Sequence, residues 1–275
     1  MFLLVGKKSV KPKKELFASK TKAKNLKTKA KDHELVNKAS TDLVSKKSIM
    51  DKVEFAPSLK KRGPGDGQIY FSDHFSGNVP DSAYLKFPDS AADCYKIEGG
   101  RLAISAISGQ DLWGGVPLKR GAPLLLYPAS LGNYGVECKV DATWGGVAQR
   151  LNTQVGLFVF ENVENWLFVG FTHHSNQQGA SPQFGGLITT STLADNSKIE
   201  HLQSFPPMKS ATLGIERAGD YWLFFIKLID GSWSQIGPKV HAHFGNHWVG
   251  MGVKSFQWGG SPQKGYFDNF IIRTI

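Results

Sequence analysis

The chain has 275 residues, with 33 basic and 23 acidic side chains and a net charge of +10. The charge is split unevenly: residues 1–62 hold 18 basic and 6 acidic side chains, residues 63–275 hold 15 and 17, and all seven tryptophans lie in the second part. This excludes a folded nucleic-acid-binding domain, which needs its basic patch on the folded body.

The first segment repeats a lysine-spaced theme (KKSVKPKK, SKTKAKNLKTKAK, VSKKSIMDK) and offers few apolar residues to bury. No core offsets its ordering entropy, so residues 1–66 are expected to form a mostly disordered basic tail, with a transient helix around Asp32 to Lys47. The opening MFLLVGKKSV places a short apolar run before its lysines, the reverse of a secretory signal. Four roles remain open for the tail: a solvated linker, a nuclear-localisation or nucleic-acid tail, a contact to anionic polymers or surfaces, and a propeptide ending at Lys61–Arg62. No stretch approaches the roughly 18 apolar residues of a membrane span.

Residues 67–275 read as one all-β domain. In GVECKVDATW, Val136, Cys138, Val140 and Ala142 alternate with Glu137, Lys139, Asp141 and Thr143, as a strand with one wet face requires. Val155–Phe160 and Trp166–Thr172 flank ENVEN as a hairpin, apolar on both faces and hence central in its sheet. In ATLGIERAGDYWLFFIKLIDGSW, Ala218-Gly219-Asp220 and Asp230-Gly231 mark turns, and YFDNFIIRTI closes the chain. No helix of ordinary length and no βαβ alternation appears, so two stacked antiparallel sheets are expected. Cys94 and Cys138 read as small apolar residues, with a single disulfide as the alternative.

Several motifs follow one another in order: IYFSDHFSG, YKIEGGRLAIS, VGLFVFENVENWLFVGF, LGIERAGDYWLFFIKLIDGSWSQIG and GYFDNFIIRTI. Over about residues 69–275 this resembles the concanavalin A-like jelly-roll domain at the C-terminus of family 43 β-xylosidases. The resemblance implies a jelly-roll sandwich, first and last strands side by side, a glycan partner and an extracellular setting. The compartment is otherwise open. The sequence departs from the pattern at Leu228, where many members carry serine, and at Trp233, one residue early. The catalytic propeller of those enzymes has no counterpart here.

Glycoside hydrolysis needs paired carboxyls. Glu137 and Asp141 share a strand face but stand about 13–14 Å apart, beyond the inverting range of about 6.5–9.5 Å. Glu161 and Glu164 fall in the expected turn and point apart. No catalytic residue is therefore assigned. His241, His243 and His247 have metal-like spacing, but structural histidines beside a turn are commoner. Asp73 and Asp268, on the first and last strands, offer oxygen ligands for a structural calcium; no metal or cofactor is assigned. Trp113, Trp144 and Trp258 each precede a Gly-Gly pair, which places indoles at loops or strand ends, whereas Trp166, Trp222 and Trp248 lie in apolar runs and read as core. The expectation is a non-catalytic, lectin-like carbohydrate-binding module. Trp113, Trp144 and Trp258 would stack on sugar rings, with Gln149, Arg150, His173 and Asn176 as polar partners. The alternatives are a diverged glycosidase acting on cell-wall polysaccharide and an interaction domain with an anion-binding tail.

Overall fold

The computed structural model describes residues 63–107, 109–115, 120–129, 132–143, 153–174, 184–205, 209–255 and 263–275. Two antiparallel sheets stack face to face. The nine-stranded sheet holds β1 (Gln68–Asp73), β3 (Tyr95–Glu98), β4 (Arg101–Ser105), β6 (Tyr134–Thr143), β11 (Ser210–Ala218), β12 (Tyr221–Lys227), β13 (Trp233–Gln235), β14 (Val240–His241) and β16 (Lys264–Thr274). The seven-stranded sheet holds β2 (Leu85–Phe87), β5 (Leu124–Pro128), β7 (Thr153–Asn162), β8 (Asn165–His174), β9 (Phe184–Leu193), β10 (Asn196–Phe205) and β15 (Trp248–Ser255). A short 3-10 turn, Asp89–Cys94, is the single helical element among the described residues.

The period-two pattern does the sorting. Val136, Cys138 and Val140 on β6 point inward with Leu213, Ile215, Phe224, Phe267 and Ile272 of the same sheet. They meet Val155, Leu157, Val159, Val169, Phe171, Met251 and Val253 of the other sheet in one continuous core. Cys138 is part of that core and its thiol donates to the Asp268 carbonyl; neither it nor half-buried Cys94 is bridged. β7 and β8 pair as an expected central hairpin, in the order β10-β9-β8-β7-β15-β5-β2. The turn between them is tighter than the sequence suggested: Glu161 lies on β7, and only Val163 and Glu164 turn. β16 runs antiparallel to β6 on one side, and on the other to β4 and then β1, so the last strand does lie beside the first.

One corner of the core is polar and titratable. His247 is buried, Tyr134 Oη lies 2.7 Å from its Nε2, and Nδ1 is 2.8 Å from the Gly245 carbonyl. A carbonyl only accepts, so Nδ1 carries the proton and Nε2 accepts from the Tyr134 hydroxyl. Trp222, fully buried, meets the imidazole edge-on at 5.5 Å. Burial holds the His247 pKa below the ordinary imidazole value; nearby Arg217 lowers it further, while the Gly245 carbonyl and Glu161 oppose. The unfolded chain therefore binds this proton at a higher pH than the folded one. The contribution is complete above about pH 6.5 and is lost as pH falls through the depressed folded value. Thermal melts of the wild type should drop below about pH 6.5 more steeply than those of a His247→Gln variant. Parallel pH profiles would remove His247 from the account.

Candidate binding face

The outer face of the seven-stranded sheet is read from its register. Lys254, Gln154 and Thr172 stand side by side on β15, β7 and β8. The next row is Gly252, Gly156, Gly170 and Ile188. After it come Gly250, Phe158, Phe168 and Thr190, and then Trp248, Phe160, Trp166 and Thr192. The glycine row is not bare floor. A Cβ on Gly170 would stand 2.3 Å from Phe168 Cζ, and one on Gly252 would stand 3.0 Å from Phe158 Cε2, so the glycines admit these rings.

A strap over 110–115 crosses this face. Ser255 N donates to the Gln110 carbonyl, Trp166 Nε1 to the Leu112 carbonyl at 3.1 Å, and Gly114 N to Ser197 Oγ at 2.6 Å. Gly114 is required by packing: a Cβ there would lie 2.1 Å from the Asp195 carbonyl oxygen. Arg120 grips the Asp195 carboxylate through both oxygens, tying the β9–β10 turn to the segment that leads into β5.

Beneath the strap, Lys254 is 1% exposed. Its ammonium lies 4.3 Å from the Trp166 ring centroid, 5.3 Å from that of Phe168 and 5.5 Å from that of Trp113. Asp111 Oδ1 is 3.7 Å away and already accepts the Leu112 amide at 2.7 Å. Burial lowers the Lys254 pKa, and Asp111 opposes. Ring faces stabilise a desolvated cation by about 2 kcal/mol or more, but they supply no hydrogen-bond acceptor. Lys254 Nζ, Gln154 Oε1, Thr172 Oγ1 and Thr190 Oγ1 are all buried, and none has a hydrogen-bond partner. Each orphaned group costs about 1–3 kcal/mol, and native folds rarely leave such groups without a reason. The set combines three ammonium donors, an amide acceptor and two hydroxyls that both donate and accept.

Of the sequence-predicted site residues, Trp113 belongs to this strap, half-buried against the Lys254 ammonium. Trp144, Trp258, Gln149, Arg150 and Asn176 lie outside the described residues, as does the side chain of His173. The backbone of His173 pairs with Thr153 and Gly185, one residue beyond the Lys254–Gln154–Thr172 row. The strand ends that lead into 144–152, 175–183 and 256–262 therefore share one end of the sandwich with the orphaned row. Gln154, Thr172, Thr190 and Lys254 escaped sequence reading. Lys254, a charge within the apolar strand WVGMGVKS, was the available signal.

The other candidates resolve into separate partners. Glu137 pairs with Arg273 at 3.0 Å and Asp141 with Arg101 at 3.2 Å. Glu161 accepts the Gly245 amide. His243 binds Asp220, His241 lies beside the Tyr221 ring, and His247 is committed to Tyr134, so the three imidazoles do not converge. Asp73 caps the Phe75 amide at 2.7 Å, while Asp268 pairs across to Lys139 on β6. Among the described residues no three His, Cys, Asp or Glu side chains gather as metal ligands, and no helix is long and apolar enough to cross a membrane. Trp166 and Trp222 are core as expected, and Trp248 is half-exposed on the outer face.

The fold defines a two-sheet β-sandwich of the kind that resembles the C-terminal domain of family 43 glycoside hydrolases. A xylan β-1,4-xylosidase from Bacillus halodurans superposes with a TM-score of 0.57 at 14% identity, over 81% of this chain and 41% of that one. A functionally unknown protein from Saccharomyces cerevisiae gives 0.54 at 14% identity, over 70% of this chain and 95% of that one. The CBM2 module of a Lactobacillus casei phage Dit protein gives 0.50 at 9% identity, over 75% and 96%. This chain thus spans less than half of the xylosidase it matches. No family model matches the sequence, and no curated protein matches it.

Proposed function

We propose that residues 67–275 are a non-catalytic, lectin-like carbohydrate-binding module and that residues 1–66 are an appended basic segment. The observation that carries the reading is the set of buried polar atoms without a hydrogen-bond partner on Lys254, Gln154, Thr172 and Thr190, on one sheet face beside Trp113 and Trp166, with Asp111 as the ion-pair partner of Lys254. Thr172 and Thr190 are two rows apart, about 13 Å along the strands, and both are buried. Two likenesses support the reading. The sandwich matches part of a xylosidase, and it matches nearly the whole of a protein named as a CBM2 module. In this reading Trp144, Trp258, Gln149, Arg150, His173 and Asn176 are further sugar contacts. The carboxylates at Glu137 and Asp141 are held in separate ion pairs, which accords with binding without hydrolysis.

Depletion of the full chain from solution by insoluble xylan, β-glucan and chitin tests this. Saturable loss to at least one polymer is expected, without release of reducing sugar and with little change between about 50 and 200 mM salt. A steep salt dependence would instead assign binding to the basic segment. Absence of depletion by all three would contradict the proposal.

A further inference from the structure

The outer face of the nine-stranded sheet carries a cavity of about 400 Å³. Its wall is Trp233, whose indole lies over Gly214 and under the segment 63–65. A Cβ on Gly214 would be 3.1 Å from Trp233 Cζ3, and one on Gly63 would be 2.3 Å from Trp233 Cδ1. The ring is clamped and 8% exposed, so it forms a fixed wall. At the base is the Glu137 carboxylate, its side chain 8% exposed. Oε1 accepts from Arg273 Nη2 at 3.0 Å. Oε2 stands 3.8 Å from Lys227 Nζ, too far for a hydrogen bond. Arg273 Nε is buried without a partner. Across the cavity, Ser232 gives both its amide and its hydroxyl proton to Asp230 Oδ1, which leaves the hydroxyl oxygen to accept. Asp66 completes the lining.

Two cations, Lys227 and Arg273, and two carboxylates, Glu137 and Asp66, line the space, so its formal net charge is zero. Lys227 Nζ and Glu137 Oε2 stand 3.8 Å apart, so a hydroxyl oxygen set beside the pair, at about 2.8 Å from each, would accept from the ammonium and donate to the carboxylate. A neighbouring hydroxyl then has Asp66 or Ser232 within the same wall. We infer that this cavity is a second binding site, for a single ring of a neutral polyhydroxy compound such as a terminal sugar residue, on the face opposite the Lys254 row. It does not rest on the function proposed for that row.

The test is calorimetric titration of the full chain with soluble oligomers of xylose, glucose and N-acetylglucosamine, and with a glucuronate oligomer as the anionic comparison. Indole N–H resonances report which tryptophan senses ligand. Lys227 and Asp66 are surface groups whose replacement leaves the core intact, so Lys227→Met with Asp66→Asn probes the cavity without unfolding it. A neutral oligomer should shift the Trp233 indole signal, and the double variant should weaken that class of sites about tenfold or more. Thr172→Val with Thr190→Val should leave the Trp233 response intact. An unchanged isotherm in the Lys227/Asp66 variant, no Trp233 shift with any oligomer, or preference of that site for glucuronate overturns the inference. If binding survives Thr172→Val/Thr190→Val but not Lys227→Met/Asp66→Asn, the cavity stands and the Lys254 row falls. The reverse pattern fells the cavity alone.

Discussion

Trp166→Ala is expected to lower unfolding stability by about 3–5 kcal/mol, read from the midpoint of denaturant-induced unfolding of the full chain. The side chain is fully buried on the outer face of β8. Its removal opens a cavity against Phe158, leaves the Leu112 carbonyl without its 3.1 Å donor, and strips the nearest ring from the Lys254 ammonium. The strap over 110–115 should then exchange its amide protons faster, Gly114 included, while β6, β11 and β16 keep their protection. A loss under about 1 kcal/mol would mean that the ring does not hold the strap down.

Gly156→Ala should be comparably severe, at about 3 kcal/mol or more, for a different reason. Gly156 and Gly170 face each other across the central β7–β8 pair. A Cβ at position 156 would stand 2.1 Å from the Val169 carbonyl oxygen and 2.6 Å from Gly170 Cα. Both are backbone atoms, so relief requires the two strands to part in the middle of the sheet. Gly99→Ala is a useful contrast: its added Cβ meets nothing within 4 Å, although its φ of +60° still disfavours alanine. Thermal melts should place Gly156→Ala far below Gly99→Ala. Equal melting points would show that the strands at Gly156 can shift freely.

How much of this could be read from the sequence depended on where period two was clean. β6 alternates without interruption, and its inward set, Val136, Cys138 and Val140, is the set found in the core. The place of β16 beside β1 was implied by the family resemblance and is found in the structure. The β9–β10 hairpin had no such signal. Its turn residues, Ala194 and Asp195, take φ of +49° and +63°, a conformation usually bought with Asn-Gly. Here it is held by Arg120 on the Asp195 carboxylate and by Asn165 on the Ala194 amide, contacts that no local pattern announces.

The binding face was legible only in outline. Trp-Gly-Gly was read as a device for presenting an indole. At Trp113 the first glycine instead lets the strap touch the Asp195 backbone, and the indole shares the Lys254 ammonium. Thr172 and Thr190 look like ordinary strand residues in sequence. Only the pairing of β7, β8, β9 and β15 shows that they share a buried face with a lysine and a glutamine whose Nζ and Oε1, like the two hydroxyls, make no hydrogen bond.

That face yields the most direct test. Valine is close to isosteric with threonine, and exchanging an unpaired buried hydroxyl for a methyl removes a desolvation cost. The full-length Thr172→Val/Thr190→Val chain should melt at the same temperature as the wild type or higher, while its uptake by the polysaccharide that depletes the wild type falls at least tenfold. A lower melting temperature would show that the hydroxyls are already satisfied in the fold, and undiminished uptake would show that they touch no ligand; either result contradicts the account.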